Sequence, residues 1–209
     1  MTATRFTAAA LTLICAGTTL GQPTQWGGWL VEVVGPPVSP SNPSTTVRVS
    51  GYFPSNLWAL ANGGFDLTST DAGSAFDQVR MPPPLQPPCA LLRPGTLIAG
   101  GAYGVLFDQI NILGCIANSA NPLAIWEATW TTQDFTPRDV QLETTNTPGF
   151  YVFENPQATL NTINLVPLNQ FRHGSAVIQV IPAPAGACVI LGAMALCVRR
   201  QRAGCTRPM

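Results

Sequence analysis

No lysine occurs in the 209 residues, histidine occurs once, and only 10% of positions are charged, against roughly 25% in an average soluble chain. Each scarcity excludes something. Without lysine, and with formal charge balanced at zero, the chain has no basic patch for phosphate, so nucleic acid is not its partner. The single histidine, His173, stands in Phe171-Arg172-His173-Gly174-Ser175, and a Ser-His-Asp or Cys-His site would have to use it. No G-x-S-x-G supplies a nucleophile elbow, so His173 reads as a surface loop residue. With no CxxC pair and no second histidine, a zinc-type site has no ligand set. Asp71-Ala72-Gly73-Ser74 is too poor in ligands for an EF-hand loop, and Asp66 and Asp71 flank a short strand rather than forming a visible acid pair. No catalytic residue, metal or cofactor is indicated. No apolar run reaches 18 residues, which excludes a polytopic membrane protein.

What is present is punctuation and alternation. Glycine and proline together number 39, against about 25 at average usage, and hydrophobic residues make up 46%, too many for a wholly disordered chain. The N-terminus carries one arginine, then the apolar run Phe6 to Gly17, then small residues up to Gly21 before Gln22-Pro23. That order is the one a secretory signal peptide uses, with cleavage expected after Gly21. A lipoprotein reading would use Cys15, but Ile14 stands where a small residue should precede it. The C-terminus has Pro182-Ala183-Pro184, the 14 apolar or small residues Ala185 to Val198, and then Arg199, Arg200, Arg202 and Arg207. As a helix this segment covers about 21 Å, short of a ~30 Å hydrocarbon core. The arginines would hold its end on the cytoplasmic side.

This C-terminal arrangement resembles the PEP-CTERM sorting signal, in the Pro-Ala-Pro form of planctomycete-type exported proteins, with Ala183 where the motif name places glutamate. The resemblance implies a signal peptidase and an exosortase-type protease as partners in transit. It also implies a passing anchorage in the inner membrane, with Pro182, Ala183, Pro184, Arg199, Arg200 and Arg202 as sorting residues.

Three segments follow: a signal peptide over 1–21, an exported domain over 22–181, and a sorting or anchor tail over 182–209. In the exported domain five arginines face all ten carboxylates, leaving −5, which keeps it soluble and repels it from anionic membranes. Short alternating runs recur between turn residues, as an all-β sandwich requires. Leu30–Val34, Thr45–Phe53, Leu57–Ala61, Phe65–Thr70, Ala75–Val79, Thr96–Ala99, Val105–Ile112, Leu123–Thr131, Val140–Thr144, Phe150–Phe153 and Ala176–Ile181 are the expected strands. Asn62-Gly63-Gly64 reads as a hairpin-like break. Met81 to Gly95, with six prolines, reads as an extended crossover loop. Helices are expected only at the two ends. The stretch from Val38-Ser39-Pro40 through Thr45-Val47-Val49 to Phe65-Asp66-Leu67 resembles cohesin-like sandwiches, which implies a jelly-roll or cohesin-like fold and transfers no partner.

Two pairs are candidate sites. Cys89 and Cys115 are the cysteines left in the exported domain, and a bridge would close a loop worth about 3 kcal/mol; two separate buried thiols are the alternative. Trp126 and Trp130, four apart in a strand, share a face, either as a sugar-stacking platform or as core filling. The expected function is that of an exported, non-enzymatic protein of the cell surface or extracellular matrix. The alternative is a carbohydrate-binding or adhesive module that takes a surface polysaccharide on the aromatic pair.

Overall fold

A computed structural model of the chain describes residues 26–83, 85, 87–112, 114–157, 163–165 and 170–182. The signal peptide, the hydrophobic C-terminal segment and sorting residues Ala183, Pro184, Arg199, Arg200 and Arg202 lie outside the described residues. Pro182 is exposed at their edge.

Thirteen strands make two sheets, as the short alternating runs require. They are β1 (Gly27–Val34), β2 (Ser44–Tyr52), β3 (Ala59–Ser69), β4 (Ala75–Arg80), β5 (Ala90–Arg93), β6 (Thr96–Ile98), β7 (Gly101–Gln109), β8 (Leu123–Thr131), β9 (Arg138–Thr145), β10 (Phe150–Phe153), β11 (Ile163–Leu165), β12 (Phe171–Arg172) and β13 (Ser175–Val180). The first sheet runs β12-β1-β2-β8-β4, with β12 parallel to β1. The second is built around β3. β7 pairs along one side of it, while β9 and β10 follow each other along the other. β5 and β6 follow each other along the far side of β7, β13 pairs with β9, and β11 pairs with β10.

The inner faces fill with the apolar members of each alternation. In β2, Val47 and Val49 are buried, while Thr46 and Arg48 are half-buried on the opposite side. In β8 the register shifts against Val49 and Ser50, and this bulge lets Ile125 and Trp126 both turn inward, each fully buried. Trp29 and Trp130 are buried to the same degree. Trp29 packs edge-on to Phe150 at 5.0 Å and tilted to Phe65 at 5.1 Å between ring centroids. These rings, each burying about 150–250 Å², set the spacing of the sheets.

Two expectations are corrected. Asn62-Gly63-Gly64 is no break: it runs through the middle of β3, which joins the two strands expected on either side. Glycine is needed there for room, since a Cβ on Gly64 would stand 2.6 Å from Leu106 Cδ2. The crossover loop is also not wholly a loop, because Ala90–Arg93 between its prolines forms β5.

Candidate functional site

The exposed apolar side chains are unevenly placed. Of the ten large hydrophobic residues exposed among the described residues, six fall between Leu91 and Ile116: Leu91, Leu97, Ile98, Tyr103, Ile112 and Ile116. They sit on β5, β6, β7 and the loop after β7. Only Arg93 and Asp108 carry charge in that stretch, and Asp108 accepts a hydrogen bond from the Asn62 amide. On a domain of net charge −5, this sector is close to neutral.

The loop that carries Ile112 and Ile116 is pinned. Cys89 and Cys115 are joined by a disulfide, with Cα atoms 5.1 Å apart. The buried side chain of Gln109 donates from Nε2 to the Leu60 carbonyl at 2.6 Å, and its Oε1 accepts from the Asn118 N–H at 2.7 Å. Asn121 Nδ2 donates to the Phe53 carbonyl at 2.7 Å, and Asn121 Oδ1 accepts the Phe53 N–H. Ala117 is buried against Ala59, Ala61 and Phe153. Ile116, beside Ala117, is therefore 79% exposed on a fixed backbone. Two clefts open next to it. One of about 380 Å³ is lined by Val79, Met81, Leu85, Leu91 and Leu92 among others, and one of about 350 Å³ by Leu85, Pro87, Ala90 and Ile116 among others. Leu85 and Pro87 line both, so the clefts adjoin.

A polar cluster marks the outer face of the first sheet. Glu127 on β8 is 3% exposed and lies between two arginines on the flanking strands. Arg48 reaches its Oε1 with Nε at 2.7 Å and Nη2 at 2.6 Å. Arg80 reaches Oε2 with Nε at 3.0 Å and Nη2 at 2.9 Å. A register shift in β4 between Asp77 and Arg80 sends Val79 toward the core and sets Arg80 opposite Glu127. Burial pushes the Glu127 carboxyl up, but the hydrogen bonds and charges of Arg48 and Arg80 outweigh it and hold the group below its ordinary value. An ionised carboxylate shared by two guanidiniums ties β2, β8 and β4 together and is poorly suited to deliver a proton.

The remaining candidates disperse. Trp126 and Trp130 do share a face, but it is the inner one: both are 0% exposed, and Phe76 and Phe65 pack edge-on to Trp126. This corrects the platform reading, since neither ring has a free face for a sugar. Their indole N–H groups find no acceptor among the described residues. His173 is exposed, its ring edge-on to Phe171 at 5.3 Å. Asp66 and Asp71 hold loops: Asp66 accepts from the Gly104 N–H at 2.6 Å and from Asn146 Nδ2 at 2.8 Å. Asp71 pairs with Arg138 at 2.6 Å and accepts the Gly73 N–H. Among the described residues no three His, Cys, Asp or Glu side chains gather as a metal site needs, and no helix is long and apolar enough to cross a membrane. The apolar edge and the Arg48–Glu127–Arg80 cluster were both missed by sequence reading.

No family model matches the chain, and no curated protein matches it. Solved structures do. A cohesin module from a family 33 glycoside hydrolase of Clostridium perfringens superposes with a TM-score of 0.52 at 8% identity, covering 77% of this chain and 100% of that one. The seventh ScaB type I cohesin of Pseudobacteroides cellulosolvens gives 0.53 at 12% identity, covering 77% and 96%. At such identities the likeness is one of fold: an all-β, cohesin-like sandwich.

Proposed function

We propose that the chain is an exported, non-enzymatic module that binds another protein at the cell surface or in the extracellular matrix. The observation that carries this reading is the apolar sector of β5, β6 and β7 with its pinned disulfide loop. Apolar side chains held in water on a fixed backbone are a standing cost unless something covers them, and a preorganised patch loses little entropy on binding. The cohesin-like fold assigns no partner by itself. Export rests on the sequence of residues 1–21. Sorting rests on Pro182-Ala183-Pro184 and the arginines after residue 198, which favour removal of the tail by an exosortase-type protease.

A polysaccharide partner loses its proposed aromatic pair to the core, so protein is the better-supported ligand class. The test is binding of the labelled full chain to whole cells of the producing organism. Binding abolished by protease treatment of the cells and insensitive to periodate is the expected result. Periodate-sensitive binding that survives protease would place the ligand among the glycans and overturn the proposal.

A further inference from the structure

β5 is an outermost strand of its sheet. Its register pairs Ala90 with Gln109, Leu91 with Asp108, Leu92 with Phe107 and Arg93 with Leu106. Just before the strand, the Ile110 N–H donates to the Cys89 carbonyl at 2.9 Å. In an antiparallel ladder, residues whose N–H and C=O meet the partner alternate with residues whose groups point away. Cys89 meets the β7 side, so Leu91 and Arg93 do as well, and the backbone groups of Ala90 and Leu92 turn to the open side. Among the described residues no strand pairs with that side and no backbone hydrogen bond reaches it. The two apolar clefts lie beside it, with Leu92 lining one and Ala90 the other. On the sheet's outer face stand Leu91, 48% exposed, and Arg93, which forms no ion pair with a described carboxylate.

We propose that β5 accepts a strand from a partner protein: an extended segment adds to its open side, sets apolar side chains into the clefts at Leu85 and Leu92, and places an acidic side chain beside Arg93. The inference rests on the protein-partner reading and specifies the partner's form. Unpaired N–H and C=O groups along one line are satisfied by another extended backbone, while adjoining pockets select alternate side chains. A second copy of β5 fits less well, because Ala90–Arg93 contains no acid to meet Arg93. Pro87, Pro88 and Pro94 bound the strand and have no N–H to donate, so the addition is limited to a few residues and is reversible.

The experiment is selection of random octapeptides displayed on phage against the full chain. Enriched peptides should alternate apolar with polar residues and carry Asp or Glu. As free peptides they should perturb the amide resonances of Ala90 and Leu92. N-methylation of their alternate backbone nitrogens should weaken binding at least tenfold on the register that meets β5. The substitution Leu92→Pro removes an outward N–H and leaves the β5–β7 hydrogen bonds in place, so it should weaken binding to the same extent. The N-methylated peptides give the answer without a variant should Leu92→Pro fail to fold. No enrichment, or peptides that bind equally well when N-methylated in either register, would overturn strand addition. Should that happen while cell binding stays protease-sensitive, the protein-partner reading stands and only its strand form falls.

Discussion

Gly63 lies against the indole of Trp29 so closely that a Cβ on it would stand 2.6 Å from Cη2 of the tryptophan. The contact joins the two sheets, because Trp29 comes from β1 and Gly63 from the middle of β3. It also accounts for a dipeptide, Asn62-Gly63, that in isolation resembles a turn.

Replacing Gly63 with alanine should therefore destabilise the protein by about 1–3 kcal/mol, the usual cost of overpacking a filled core. Urea unfolding of the variant measures this. An unchanged midpoint would mean that Trp29 has room to retreat.

Glu127 gives a pH prediction. Its carboxyl is held below the ordinary value of 4.5 by Arg48 and Arg80, so the folded state favours the ionised form. The stabilisation is fully present above the unfolded-state value and fades as pH falls through the lower folded-state value. Glu127→Gln should cost about 2 kcal/mol at neutral pH. The gap from wild type should narrow as pH drops below 4.5. Denaturation at a series of pH values checks both statements, and a gap independent of pH would contradict them.

Removing the disulfide should cost about 3 kcal/mol on the chain-entropy account. The double variant Cys89→Ser/Cys115→Ser should also lose amide protection in residues 110–120, while β2 and β8 keep theirs. Hydrogen exchange read by mass spectrometry separates this local loosening from global unfolding.

The ends are tested by intact mass of the protein isolated from its own cells. A chain lacking Met1 to Gly21 and everything after about Pro182 is the expected product. Replacing Arg199, Arg200 and Arg202 with alanine should release or misplace unprocessed chain. A mass that retains Cys188 to Met209 would make the tail a resident anchor.

The all-β class was legible in sequence because alternation in segments such as Thr45–Phe53 reports a half-buried strand directly. What was lost depended on tertiary context. Gly63 signals a turn locally and a steric fit only once Trp29 is opposite. Trp126 and Trp130 reveal a shared face, but whether that face is inner or outer is decided by the partner sheet. The short run Ala90–Arg93 is masked by the prolines around it and is a strand only because β7 pairs with it. Arg80 reaches Glu127 through a bulge that no spacing rule foretells. The apolar edge was illegible because exposure belongs to the assembled sheets, and the same Leu and Ile residues would serve equally well in a core.

The central claim is that the partner is bound through the apolar edge and its disulfide loop. The most direct measurement compares two double variants of the full chain for binding to the producing cells. Leu91→Ser/Ile116→Ser alters the proposed face, and Leu30→Ser/Val34→Ser alters exposed apolar residues of the other sheet. Surface changes of this kind leave stability within about 0.5 kcal/mol. The account predicts a loss of binding of about tenfold or more for the first pair and wild-type binding for the second. Equal binding by both variants, or loss confined to Leu30→Ser/Val34→Ser, would contradict it.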